Sequence, residues 1–227
     1  MAESHLAVLT LEDVRANPLV STYIRMANQH MQAQGYTEHG ERHAVYTAHL
    51  ARKILAELGY STRQQELAAI AGYLHDIGNV VSRVNHGQNG ALLAHTILLA
   101  MGMPAEELCV VMQAIGDHEE EHFDFPSGPV FSAVVIADKS DVHRTRVRNP
   151  DPSKFDIHDR VNYAAQERNL RIDREKKEIA LDLKVDTSIG SVREYFEVFL
   201  SRMMMCRKAA NCLGCNFQLE INNLKLL

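Results

Sequence analysis

Side chains that ligate metals recur in this sequence on faces that the apolar pattern turns inward. His43 precedes the first turn of the apolar face Ala44, Ala48, Ala51, Leu55 and Leu58. His75 and Asp76 follow Leu74 at the end of a second apolar face. His118 continues the face Leu108, Val111, Ile115 at the next step of three, and Asp138 falls seven after Phe131 and four after Val134. A carboxylate directed into a core is costly unless it is paired or coordinates a metal. Neutral imidazole is the commonest metal-ligating side chain. A single inward histidine can be a core residue bonded to a backbone carbonyl. Histidines and aspartates converging from several helices predict a divalent transition-metal site instead. Mixed imidazole and carboxylate donors suit Fe or Mn, with Zn, Ni or Co as other candidates, better than Ca or Mg.

The elements that must carry these groups are mostly helices. Residues 43–58 form one, stopped by Gly59. Ser61 with Gln64 has the form of a capping box, opening a helix through Leu67, Ile70, Ala71 and Leu74 to near Gly78. Residues 87–101 are apolar on nearly every side, which predicts a central buried helix. Pro104 suits the first turn of another, and Pro129 opens a fifth that runs to about Arg146. The stretch NPDPS at 149–153 breaks the pattern and marks a boundary. A short helix is predicted at 156–166. Leu170 and Ile172, then Ile179, Leu181, Leu183 and Val185, alternate with polar residues around the turn REKKE, which reads as a β-hairpin. Residues 190–212 are an amphipathic helix with Gly214 as its C-cap, and Phe217, Leu219 and Ile221 alternate as a third strand. The prediction is a mainly α fold: a helical domain over 1–148 and a small ββαβ α+β subdomain over 149–227, with one helix covering one sheet face.

Bulk properties narrow the function. The 227 residues, 46% of them apolar, suit one sizeable domain or a domain with an appendage. The net charge of −5 argues against a dedicated nucleic-acid binder. No run of eighteen apolar residues is present, so no membrane span is expected. The N-terminal MAESHLAVLTLEDV lacks a signal-peptide pattern. A cytoplasmic location is therefore expected, with Cys109, Cys206, Cys212 and Cys215 reduced. Cys212 and Cys215 make a CxxC without further zinc ligands nearby, and Cys206 belongs to an apolar stripe.

The ordered motifs LHDIGN (74–79), HGERHA (39–44), NHGQNGALLA (85–94), DHE (117–119) and IADKSD (136–141) resemble the HD superfamily of metal-dependent phosphohydrolases, over roughly residues 36–148. The resemblance implies an HD helical core with His43, His75, Asp76 and Asp138 as the ligands of the basic site. It further implies that His86 and His118 match the extra histidines of dinuclear members, with Asp76 bridging two ions. The chain departs from HD-GYP proteins at Asp117-His118-Glu119 and lacks their GYP segment, which argues against a cyclic dinucleotide substrate. The implied reaction is cleavage of a phosphoester or phosphoanhydride, of a nucleotide or related small metabolite, by a metal-bridged hydroxide held at Asp76. Lys139 is the second candidate catalytic group. Arg83, on the loop before His86, is a candidate for gripping a substrate phosphate. Arg144 is another, although its run HRTRVR also reads as a solvated helix end. Asp141 is placed to orient a ligand. Alternatives on the same scaffold are a mixed-valent di-iron oxygenase and a non-catalytic metal-binding sensor. In the latter the ββαβ tail could pair with a partner or a second copy as a homodimer. His39 is expected behind the ligands, His49 on the surface, His95 as a satisfied core histidine, and His122 on a solvated acidic edge.

Overall fold

Capping chemistry sets the helix boundaries in the computed structural model, which describes residues 8–119 and 127–226. The Ser61–Gln64 box forms as expected, with the Ser61 hydroxyl accepting from the Gln64 amide at 3.3 Å. Two N-terminal helices, α1 (Leu11–Ala16) and α2 (Pro18–Ala33), were not among the expected elements. Their signals are nonetheless ordinary ones. Thr10 and Asp13 make a capping box, and Asn17 caps α2 with Pro18 in its first turn. The next helices are α3 (Glu41–Leu58), α4 (Thr62–Leu74), α5 (His86–Ala100) and α6 (Ala105–Gly116). Gly59 ends α3 at φ 83°, a left-handed conformation that costs glycine nothing.

Two expectations need correction. α5 is not buried all round: Leu92 and Leu99 are 64% and 54% exposed, so its outer stripe faces solvent. The fifth helix, α7 (Pro129–Lys139), stops well before Arg146. Beyond Ser140 the chain leaves the helix, and a 3-10 turn follows at Arg144–Arg146. Leaving the helix there turns the Asp141 carboxylate inward, where Arg42 and Arg168 meet it.

The C-terminal region follows the predicted order. After α8 (Ile157–Ala164), strands β1 (Ala165–Asp173) and β2 (Glu178–Val185) pair antiparallel. Helix α9 (Val192–Cys212) then crosses over to β3 (Asn216–Ile221), which pairs parallel to β2. A two-residue β4 (Leu224–Lys225) closes the order β1-β2-β3-β4. α9 packs on α7 as well as on β3. The buried cluster therefore runs without a break from Leu55 and Val134 to Phe199 and Leu219. No helix among the described residues is long and apolar enough to cross a membrane.

Glycines draw the turn after Asp76 and the start of α5 together. Asp76 leads into a 3-10 turn (Ile77–Val80) that lies against the start of α5. A β-carbon on Gly78 would overlap the carbonyl oxygen of His86 and the amide nitrogen of Gly90. Both obstacles are backbone and cannot rotate away. Gly78→Ala is therefore expected to destabilise the fold by about 1–3 kcal/mol, read by denaturant titration. Gly116→Ala, whose new carbon would lie 3.7 Å from its nearest neighbour, should cost far less. Equal stabilities for the two variants would show that the 76–90 contact is not a tight one.

Candidate metal centre

Each histidine of the set is pinned through its Nδ1. His75 donates to the Gly72 carbonyl at 2.8 Å and His118 to the Ile115 carbonyl at 2.6 Å. Both bonds reach back three residues, so the helix that carries each ring also fixes its orientation. His43 Nδ1 lies 2.6 Å from Asp141 Oδ2, and His86 Nδ1 lies 2.7 Å from Glu119 Oε1. An Nδ1 that donates to oxygen leaves the Nε2 lone pair free. All these Nε2 atoms point into one space. Those of His43 and His75 are 3.2 Å apart, and those of His86 and His118 are 3.1 Å apart.

Two lone pairs at that separation repel unless a proton or a cation lies between them. The carboxylates favour a cation. Asp138 Oδ1 is 3.2 Å from His43 Nε2 and 3.6 Å from His75 Nε2. Asp76 Oδ2 is 3.4 Å from His75 Nε2 and 3.6 Å from His43 Nε2, while its Oδ1 is 3.3 Å from His86 Nε2. Asp76 Oδ2 is buried and has no hydrogen-bond partner. An ionised oxygen left so is costly, and a metal ion is the ordinary remedy. The groups His43, His75, Asp138 and His75, Asp76, His118 each bring one donor atom per residue close enough to share an ion. The histidine and carboxylate donors thus fit a divalent transition metal.

The electrostatics agree. Burial opposes the charged form of His75, yet the Asp76 and Asp138 carboxylates push its pKa up to about 10. Burial likewise disfavours ionised Asp76 and Asp138, but the surrounding histidines, and Lys139 beside Asp138, hold both well below the usual carboxylate range. For Glu119, partial burial raises the pKa. Hydrogen bonds from His86 and the Gly87 amide outweigh this and bring it down to about 2. Asp141 is fully buried and gathers His43, Arg42 at 2.8 Å and Arg168 at 3.0 Å. The sequence placed Asp141 to orient a ligand, and its carboxylate faces His43 Nδ1.

A cavity of about 390 Å³ opens beside these donor groups. Lys139 lines it, with its Nζ 2.8 Å from Asp138 Oδ2. Arg83 lines it too, 3.3 Å from His86 Nε2 and stacked over Tyr36 at 5.5 Å. Arg144 does not line it: its guanidinium lies over Tyr163 at 5.0 Å and bonds the Tyr163 carbonyl. The early end of α7 carries Arg144 to that side.

Arg146, from the run read as a solvated helix end, is instead buried. It donates to the backbone oxygens of Glu38 and Asp141 and contributes to the cavity wall. Arg202 of α9 also lines the cavity, and nothing local in the sequence marks it. His39 sits edge-on to His43 at 5.6 Å and, rather than lying only behind the donors, lines the cavity. His49 is exposed, and His95 is half-buried rather than in the core. His122 lies outside the described residues.

The HD domain model matches residues 40–180. The chain is also 27% identical over 206 residues to a protein of Methanocaldococcus jannaschii described as uncharacterized, over 79% of this chain and 77% of that one. HD domains bind divalent metals and are of the metal-dependent hydrolase type, which accords with the histidine and aspartate donors gathered here. With more than half of its length matched, the chain belongs to the HD domain family.

Proposed function

We propose that this protein hydrolyses a phosphoester or phosphoanhydride of a nucleotide or related small metabolite, using two divalent transition-metal ions. The supporting observation is the attitude of Asp76. Its Oδ2 faces His43 and His75, and its Oδ1 faces His86, so one carboxylate reaches toward both histidine pairs. Two such metal ions, held by these histidines and carboxylates, would supply an acidified water and neutralise phosphoryl oxygens. The chain's own residues do the rest. Arg83 presents paired donors at the cavity rim, suited to a phosphate oxygen. Lys139, held by Asp138, adds a second positive charge on the same wall. The Nδ1 bonds keep each imidazole in one tautomer through the reaction. The ligand set also admits di-iron oxygen chemistry, so the test separates the two.

Metal content and phosphate release from a panel of nucleotides are measured on the same preparation, under argon and in air. We expect phosphate release under argon that depends on Fe or Mn. Chelation should abolish it and also lower the melting temperature, because the buried carboxylates lose their counter-charge. Oxygen uptake without phosphate release would favour the oxygenase. An unchanged melting temperature after verified metal removal would count against a buried centre joining several helices.

A further inference from the structure

The cleft does not end at the metal pocket. A second cavity of about 310 Å³ shares Tyr36, His39, Arg83, Arg146 and Arg202 with it, so the two chambers adjoin with these residues as the neck between them. The metal-ligating groups close one chamber. The other is walled by Asp156, His158, Asp159 and Asn162, from α8 and its cap, and by Phe199 of α9. Phe199 and Arg202 lie beyond the residues matched by the family, so part of this chamber is built outside that match. Each volume lies at the lower end of the range of small-molecule sites.

Charge changes sign along the cleft. The neck is cationic, and two of its guanidinium groups are held by rings: Arg83 over Tyr36, and Arg202 over Phe199 at 4.9 Å. Arg146 is committed to backbone oxygens. The far wall is instead acidic and amide-bearing. Asp156 caps α8, its Oδ1 accepting from the Asp159 amide at 2.8 Å. Asn162 is buried, with its Nδ2 bonded to the His158 carbonyl at 2.9 Å. A wall of carboxylates accepts hydrogen bonds from hydroxyl groups and repels a second phosphate.

We propose that the second chamber holds the leaving group of a phosphomonoester whose organic part carries hydroxyl groups, a sugar or nucleoside phosphate, with the phosphate on the metal side of the arginine neck. This rests on the phosphohydrolase reading. In the reaction the oxygen of water bonds to phosphorus and the phosphorus–oxygen bond to the organic part breaks. One water proton ends on the released alcohol and the other on inorganic phosphate. The alcohol is left in the second chamber.

The test uses the full metal-loaded chain with three probes: ribose 5-phosphate, p-nitrophenyl phosphate, which has no hydroxyl on its organic part, and fructose 1,6-bisphosphate. Asp159→Ala should raise the KM for ribose 5-phosphate relative to that for p-nitrophenyl phosphate by roughly tenfold, and Asp159→Asn should restore part of the difference. Asp159→Lys should improve fructose 1,6-bisphosphate relative to ribose 5-phosphate. Calorimetric binding of ribose 5-phosphate to the same proteins runs alongside. Binding that depends on Asp159 without phosphate release from any probe would sink the hydrolase reading and keep the chamber's assignment. The chamber proposal is overturned if ribose 5-phosphate does not bind, if Asp159→Ala shifts both monoester probes equally, or if fructose 1,6-bisphosphate is the preferred ligand of the parent.

Discussion

Asp141→Ala is expected to lower global stability by about 3–5 kcal/mol, the usual cost of removing one partner from a buried ionic network. For a chain of this size that is a fall in melting temperature of about 10 °C. The reason lies in what surrounds the carboxylate. It accepts from His43 Nδ1 at 2.6 Å and pairs with Arg42 and Arg168, while Arg146 bonds its backbone oxygen. Without it, mainly buried guanidinium groups lose their counter-charge and His43 loses the acceptor that fixes its tautomer. Asp141→Asn keeps the shape but removes the charge. Its stability loss should be smaller, while metal affinity still falls about 10–100-fold, as for other partners behind metal ligands.

The effect of pH has a defined sign. Burial pushes the Asp141 pKa up, but the hydrogen bond from His43 and the charge of Arg146 hold it well below the usual carboxylate range. A carboxylate depressed in the folded state stabilises above its unfolded pKa of about 4, and that stability is lost as pH falls toward the folded value. The gap between parent and Asp141→Asn should therefore be constant above about pH 5 and narrow in stronger acid. A gap that widened on acidification would mean that the carboxylate is not the stabilising group.

Asp76→Ala is expected to remove all bound metal and with it turnover. His86→Ala and His118→Ala should each leave roughly one ion per chain, against about two in the parent, and should also lose most turnover. The distances set this pattern. Asp76 faces both histidine pairs, whereas His86 approaches only Asp76 and His118 among the ligands. Loss of turnover in the histidine variants should exceed the roughly 10–100-fold typical of outer partners. Elemental analysis of the three variants beside the parent decides the matter. A parent saturating at one ion, with both histidine variants unchanged in metal and rate, would falsify a dinuclear centre.

Part of the candidate donor set was legible because it follows a helix register. His43 and Asp138 sit on apolar faces, and His118 extends one, so periodicity alone turns them inward. The hairpin and its crossover strand were legible for the matching reason, a period of two. Other features depend on contacts distant in sequence. Arg146 is buried because Glu38 offers it a carbonyl 108 residues away. Arg202 reaches the cleft only because α9 packs on α7. The end of α7 was misplaced because Val142 continues the apolar run and no glycine or proline follows Lys139 until Pro150. By contrast, α1 and α2 carried their signals plainly, in a Thr-x-x-Asp box and an Asn-Pro start.

The residues that pin and supply the donors are far apart along the chain: His43 and Asp141 are separated by 98 positions, His43 and His75 by 32. Closing such loops is an entropic expense that must be met before any donor atoms converge. In a partly folded chain a metal ion would therefore meet only the donors close in sequence, His75, Asp76 and His86. Capture is expected late, once α3, α4 and α7 have docked, and a bound ion would then act as a latch on the finished structure. Its kinetic signature is a slower unfolding rate with the folding rate hardly changed.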